Sequence, residues 1–315
     1  MNGHRPVLLQ EAIELLQPRP GGVFIDATLG GGGHARALLE RIQPGGRLLG
    51  IDRDPAAVAR CVEALTGFDP PPMLVQGNFA DLDHLAHEAG LERVDGVLFD
   101  LGLSSYQLDS PERGFSFRAD APLDMRMDPD SRVSAAELVN RMDQRELARV
   151  IATLGEERWA ARIADFIVRR RPLSTTKDLA AAVENAIPRA AWPRDIHPAT
   201  RTFQAIRMEV NDELGSLEGG LGAAIKIISP GGRMAAISFH SLEDRLVKVT
   251  IQAESKDCIC PPQQPVCTCA HRALLRAVTR KAVRPSPNEI LVNPRSRSAR
   301  LRVAERLATS HSTSQ

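Results

Sequence analysis

Gly30, Gly31, Gly32 and Gly33 interrupt the chain between an apolar stretch, Val23-Phe24-Ile25-Asp26, and an alanine- and leucine-rich segment that begins at His34. A strand that breaks into glycine and restarts as a helix brings its backbone close to a ligand. No side chain blocks the approach, and glycine reaches backbone angles that other residues avoid. The helix that follows aims its first amides at whatever is bound. The run predicts a nucleotide-like ligand, without saying which one.

Around this run, strands and helices alternate. Strands are predicted at Val23–Ala27, Arg47–Ile51, Met73–Gln76, Asp95–Asp100 and Arg233–Phe239, with helices at His34–Arg41, Pro55–Leu65, Leu82–Ala89 and Leu214–Ile228. That alternation is the pattern of a parallel sheet covered by helices on both faces. Two further strands, at Arg276–Lys281 and Ala299–Val303, have no long helix between them. One antiparallel strand is therefore expected in an otherwise parallel sheet. The rhythm breaks between about Ser105 and His197. A charged, Gly- and Pro-containing loop at Gln107–Arg132 leads into helices signalled by a capping box at Ser134–Glu137, by Glu156–Arg170 ending before Pro172, and by the caps Ser174-Thr175-Thr176. A helical insertion at that point overhangs the carboxyl ends of the strands, where open α/β sheets bind ligands.

The glycines leave two ligands open. Gly30, Gly32 and Ala35 satisfy G-x-G-x-x-A, and Asp52 ends the second strand at a spacing suited to a ribose diol. Both NAD and S-adenosylmethionine carry such a diol. Three features favour the second: Asp26 before the loop, where a pyrophosphate would be repelled; Asp100 at the end of the fourth strand; and Ser229-Pro230-Gly231-Gly232 leading into the fifth. A P-loop is excluded, because no Gly-Lys-Ser/Thr follows the glycines.

Charge is nearly balanced over the 315 residues, with 40 Lys and Arg against 39 Asp and Glu. It is not evenly spread: from Arg272 to Arg306 ten basic residues face only Glu289 and Glu305. In Arg276–Lys281 and Arg300–Val303 the arginines alternate with period two, which predicts strand faces suited to phosphates. No apolar run is long enough to span a bilayer, and Met1–Pro6 lacks a signal-peptide pattern, so a cytoplasmic location with reduced cysteines is expected. Cys258, Cys260, Cys267 and Cys269 form a C-x-C…C-x-C cluster that could close a structural zinc site or remain a reduced, metal-free loop. Cys61 lies in a helical pattern and reads as core.

A series of ordered segments carries a resemblance. They are Gly32-Gly33-His34, Ile51-Asp52-Arg53-Asp54-Pro55, Asp100-Leu101-Gly102-Leu103-Ser104-Ser105-Tyr106-Gln107, Glu112-Arg113-Gly114-Phe115-Ser116-Phe117, Pro122-Leu123-Asp124-Met125-Arg126-Met127, His197-Pro198-Ala199-Thr200-Arg201-Thr202-Phe203, Ser238-Phe239-His240-Ser241-Leu242-Glu243-Asp244-Arg245 and Asn293-Pro294-Arg295-Ser296-Arg297. The chain resembles, over nearly its whole length, the bacterial ribosomal RNA small subunit methyltransferase H (MraW) family. The resemblance implies an S-adenosylmethionine-dependent cytidine N4-methyltransferase acting on 16S rRNA at the decoding centre of the small subunit. It also implies an α/β class I methyltransferase (Rossmann-like) doubly wound sheet. The core is expected over residues 1–105 and 198–315, with a helical, substrate-recognising insertion over 106–197. Carried over position by position, the cofactor residues are Gly32, Gly33, His34, Asp52, Phe79, Asp100 and Gln107. His34, at the helix start, is expected to act through its backbone.

The target amine is a poor nucleophile, because its lone pair is delocalised into the ring. Alignment helps, as does an acceptor that draws on the amine hydrogens as positive charge develops. Asp100 is the leading candidate, with Ser238 and His240 as weaker ones at the end of the fifth strand. A competing reading is a non-catalytic RNA-binding ribosome-assembly factor. A third, a nicotinamide-dependent oxidoreductase, is opposed by Asp26 and Asp100. No protein partner follows from the sequence.

Overall fold

A computed structural model describes residues 6–308 except Pro262 and Pro265. Met1–Arg5, on which the leader reading largely rests, therefore lie outside the described residues, as do two of the prolines in the cysteine loop. The chain divides into two compact units, one running to Gly102 and resuming at Leu214, the other Leu103–Glu213.

The first unit contains α1 (Leu9–Leu16), β1 (Val23–Asp26), α2 (Gly33–Ile42), β2 (Arg47–Asp52), α3 (Pro55–Ala64), β3 (Met73–Gln76), α4 (Leu82–Glu88) and β4 (Val94–Asp100). The second holds α5 (Ser105–Leu108), α6 (Ala135–Arg141), α7 (Gln144–Gly155), α8 (Ala160–Arg169), α9 (Thr176–Ala186) and α10 (Thr200–Val210). The chain then returns through α11 (Glu213–Ile227), β5 (Ile228–Ser238), α12 (Ser241–Glu254), β6 (Leu275–Ala277), α13 (Pro287–Val292) and β7 (Arg300–Arg306).

The sheet order is β3-β2-β1-β4-β5-β7-β6. β1 to β5 pair in parallel, and β7 is antiparallel to both of its neighbours, so β7 is the one reversed strand. Neighbouring residues on a strand enter opposite cores. Ile25, Leu49, Val97 and Phe99 face Leu82, Leu217, Leu221 and Val247, whereas Phe24, Leu48, Leu98 and Ile237 face Ile13, Leu38, Leu39 and Leu65. Two apolar faces need two layers of helix, which is why these strands read as continuous apolar runs rather than alternating ones. The helices depend on that packing. With 10 residues α2 is shorter than an isolated helix that persists in water. Fully buried Leu38, Leu39 and Ile42 each contribute about 2 kcal/mol to holding it.

The second unit is a helical body with its own core, built from Leu138, Leu147, Ile151, Ile163, Ile167, Leu179, Phe203 and Ile206. It extends past the expected end at residue 197, because Phe203 and Ile206 of α10 are buried in this core. The Ser134 and Thr175 capping boxes form as the sequence indicates. The predicted Glu156–Arg170 helix is shorter. Glu156 takes a left-handed conformation (φ 48°) at the end of α7, and α8 restarts at Ala160.

Arg300 and Arg302 both donate to Asp244, each at 2.7 Å, and Arg276 donates to Glu305 at 2.6 Å. Arg302 is largely buried by this pairing, while Arg276 and Arg300 also keep exposed surface. Of the first basic segment only Arg276 and Ala277 lie in β6; Val278 and Thr279 then donate to the Val303 carbonyl, and Val283 pairs with Leu301 in an isolated bridge.

Candidate active site

In the order β2-β1-β4-β5, the sheet's chain connections change direction between β1 and β4, where an open α/β sheet forms its ligand crevice. β1 ends at Asp26, β2 at Asp52, β4 at Asp100 and β5 at Ser238. Three carboxylates thus meet the glycine run from adjacent strand ends.

The turn itself is set by backbone geometry. Gly32 caps α2 in a left-handed conformation (φ 76°), and a Cβ there would meet Cys61 Sγ at 3.0 Å. A Cβ on Gly33 would come within 2.2 Å of Pro6. Asp52 braces the loop, accepting from the amides of Gly30 at 2.8 Å and Asp54 at 2.9 Å. Burial raises the Asp52 pKa, against the pull of those two amides.

Asp26 is fully buried. One oxygen accepts from the Thr28 amide at 3.1 Å, and the other, Oδ2, has no hydrogen-bond partner among the described residues. Burial pushes its pKa up to about 7, against the pull of His34 and the Thr28 amide and with help from Asp100 and Asp52. Asp100 is held in two ways: its amide donates to Thr28 Oγ1 at 2.6 Å, and its Oδ2 lies 3.4 Å from His34 Nδ1. Its Oδ1 is buried and likewise lacks a partner among the described residues. Orphaned buried acceptors are costly, so two of them at one strand-end crevice mark a place prepared for donors or positive charge.

His34 differs from expectation. It begins the helix, but its ring is buried and reaches Asp100 on one side and the Val7 carbonyl, at 3.2 Å, on the other. Phe79 packs edge-on against Phe99 (centroids 5.7 Å apart), with the Arg53 guanidinium 5.9 Å from its ring centroid. Arg53 in turn donates to Ser216 of α11. Gly220 on that helix leaves room for the phenyl ring: a Cβ there would lie 2.7 Å from Phe79 Cδ2. Six of the seven expected cofactor residues therefore belong to the first unit. Gln107 belongs to the second, where it is buried and closes a capping box with Ser104.

Ser238 and His240 are engaged within the fold. Ser238 Oγ donates to the Arg300 carbonyl at 3.3 Å, and His240 caps α12, its Nδ1 accepting from the Glu243 amide at 3.4 Å. Two contributors escaped sequence reasoning. Thr28 was visible only as part of the Asp26-x-Thr28 spacing, and Val7 carried no local signal.

A model of the MraW methylase family matches residues 1–307. The chain belongs to that family. Its relatives include proteins named ribosomal RNA small subunit methyltransferase H. The one from Heliobacterium mobile is 50% identical, covering 96% of this chain and 99% of its own. Those from Geobacter sulfurreducens and Symbiobacterium thermophilum are 52% and 53% identical, each covering 96% of this chain. As a MraW methylase the molecule has a class I, Rossmann-like sheet, with the glycine loop and three carboxylates at its strand ends. Among the described residues, no helix is long and apolar enough to cross a membrane.

Proposed function

We propose that this MraW methylase transfers a methyl group from S-adenosylmethionine to the N4 amine of a cytidine in the decoding centre of 16S rRNA, within the small ribosomal subunit. The observation that carries the reading is Asp100, whose Oδ2 is taken by His34 while its buried Oδ1 is left to accept. The names of the relatives, all ribosomal RNA small subunit methyltransferase H, support the substrate class. Bound S-adenosylmethionine supplies an electrophilic methyl carbon on a sulfonium. Around it, Gly32 and Gly33 would let the backbone approach, Asp52 would accept from the ribose, and Phe79 would wall the adenine. Asp100 Oδ1 accepts a hydrogen bond from the amine and then its proton.

The test is labelled-methyl transfer to small subunits that lack the modification, followed by nucleoside analysis. The expected product is N4-methylated cytidine at one position, with Asp100→Ala lowering the rate about 100-fold or more. No transfer to those subunits would favour a binding-only assembly factor. Label on another base would overturn the assignment of the amine.

The same proposal includes a zinc ion held by Cys258, Cys260, Cys267 and Cys269. The four Sγ atoms lie within 4.8 Å of one another, with Cys267–Cys269 at 3.6 Å and Cys269–Cys258 at 3.9 Å. A tetrahedral zinc with Zn–S bonds of about 2.3 Å sets its sulfurs about 3.8 Å apart, so the residues present fit the ion. Four sulfurs leave no open position, so the role is structural. Elemental analysis of purified protein should find one zinc per chain, lost in Cys258→Ser and Cys269→Ser. Metal-free protein with four thiols free to react would refute it.

A further inference from the structure

The His34 ring is 5% exposed and lies between two acceptors, with Nε2 3.2 Å from the Val7 carbonyl and Nδ1 3.4 Å from Asp100 Oδ2. A neutral imidazole has one donor nitrogen and one acceptor nitrogen. In this position a neutral ring beside an ionised Asp100 would set a lone pair against an oxygen, in a place where little water can intervene. One extra proton on the pair removes that conflict. With that proton on the ring, both N–H groups donate, one to each acceptor. The charged groups facing the ring are Asp100 and Asp26. Burial opposes the charge, but the Asp100 bond and the two carboxylates outweigh it, and the His34 pKa is raised.

We propose that His34 is the positioning residue for Asp100, binding Oδ2 through Nδ1–H so that Oδ1 alone is presented to the target amine. The inference rests on the methyl-transfer reading above for what Oδ1 accepts. The carboxylate is then fixed at two points: Thr28 Oγ1 anchors the backbone amide of Asp100, and His34 anchors one oxygen. Without the second anchor the carboxylate can rotate about its terminal torsion, and its remaining oxygen is no longer confined to one direction. In the transfer, the N4 lone pair forms the bond to the methyl carbon, and the carbon–sulfur bond breaks with its electron pair going to sulfur. One N4 proton passes to Asp100 Oδ1. His34 keeps both of its protons throughout. It acts as a fixed partner on the Oδ2 side of the carboxylate, which leaves Oδ1 to accept. A misaligned acceptor loses transition-state stabilisation without losing affinity for the donor, so the effect belongs on kcat.

Two measurements test this. The first uses the free protein without RNA or donor: nitrogen NMR of the histidine ring across pH, in wild type and in Asp100→Asn. The expected result is an imidazolium His34 at pH 7 whose titration midpoint falls by a pH unit or more in Asp100→Asn. A neutral His34 ring at pH 7 in the wild type, or a midpoint that does not move in the variant, overturns the pairing. The second compares His34→Gln, which keeps a side-chain donor, with His34→Leu, which has none. The kcat for methyl transfer, measured at saturating S-adenosylmethionine, should fall about 10-fold in His34→Gln and about 100-fold in His34→Leu. Equal losses in the two variants, or losses confined to KM, would show a packing or cofactor-binding role instead. If wild type itself transfers no methyl group, the proposed function falls while the NMR result still decides the pairing.

Discussion

Asp26 is where a single residue has the clearest thermodynamic signature. Its ordinary pKa of 3.8 rises to about 7 in the fold, chiefly through burial. The folded state therefore holds the proton over a pH range in which the unfolded chain has released it. Stability from this group is greatest below pH 4 and declines as pH rises to about 7, where the cost reaches about 4 kcal/mol at roughly 1.4 kcal/mol per pH unit. Asp26→Asn removes the ionisation while keeping an oxygen for the Thr28 amide. Thermal denaturation should show the variant gaining on wild type between pH 5 and pH 8. A constant gap across that range would contradict the burial account. Asp244 behaves in the opposite sense. Burial disfavours its charge, but Arg302 and Arg300 more than compensate and lower its pKa, so its contribution is present at neutral pH and is lost as pH falls below about 4.

At the scale of elements, that same carboxylate ties α12 to β7. Removing Asp244 leaves Arg302, only 14% exposed, without its partner. Asp244→Ala should cost about 3 kcal/mol in urea unfolding at pH 7, and progressively less as pH falls below about 4, where the unfolded chain takes up a proton that the folded carboxylate resists. The pairing also shows that part of the basic charge of β7 neutralises a buried carboxylate of the fold. α11 offers a second case. Gly220 lies under Phe79, and a methyl group there would press on both the phenyl ring and the Phe79 carbonyl, at 2.7 and 3.0 Å. Gly220→Ala is favourable for helix propensity by about 1 kcal/mol, yet it displaces the proposed adenine wall. The expected outcome is a Kd for S-adenosylmethionine at least 10-fold weaker by calorimetry, with thermal stability little changed. Unaltered binding would remove Phe79 from the cofactor site.

For the molecule as a whole, the two units draw on separate sets of buried residues. Ile163, fully buried in the second unit, packs among Leu147, Ile167 and Phe203 of that core. Ile163→Ala should destabilise the second unit by about 3 kcal/mol. Hydrogen exchange would then report lost protection over α7 to α10, while the amides of β1 and β4 keep theirs. Uniform loss across both units would mean that they unfold as one. Strands β1, β2, β4 and β5 of the first unit were legible in sequence because each is an apolar run punctuated by glycine, proline or an acid, whereas its helices α1, α12 and α13 were missed. α7 and α10 were missed although Asp143 and the His197–Phe203 segment stood in view: without a neighbouring helix to pack on, their apolar positions have no stated partner.

By itself, the sequence determined what is encoded within a few residues: the strand–glycine–helix turn, the capping boxes at Ser134 and Thr175, the acids ending β1, β2 and β4, and the four clustered thiols. Those features depend on hydrogen bonds and torsions between near neighbours, which local composition specifies. Only the tertiary structure decided which distant groups share an oxygen. Asp26 aligns with Leu98 in the β1–β4 register, and that register carries Asp100 to Thr28 and His34. Likewise, β7 inserts beside β5 and delivers Arg300 and Arg302 to Asp244. Strand order and burial set these encounters, and burial turns an ordinary aspartate into one that binds its proton near neutral pH.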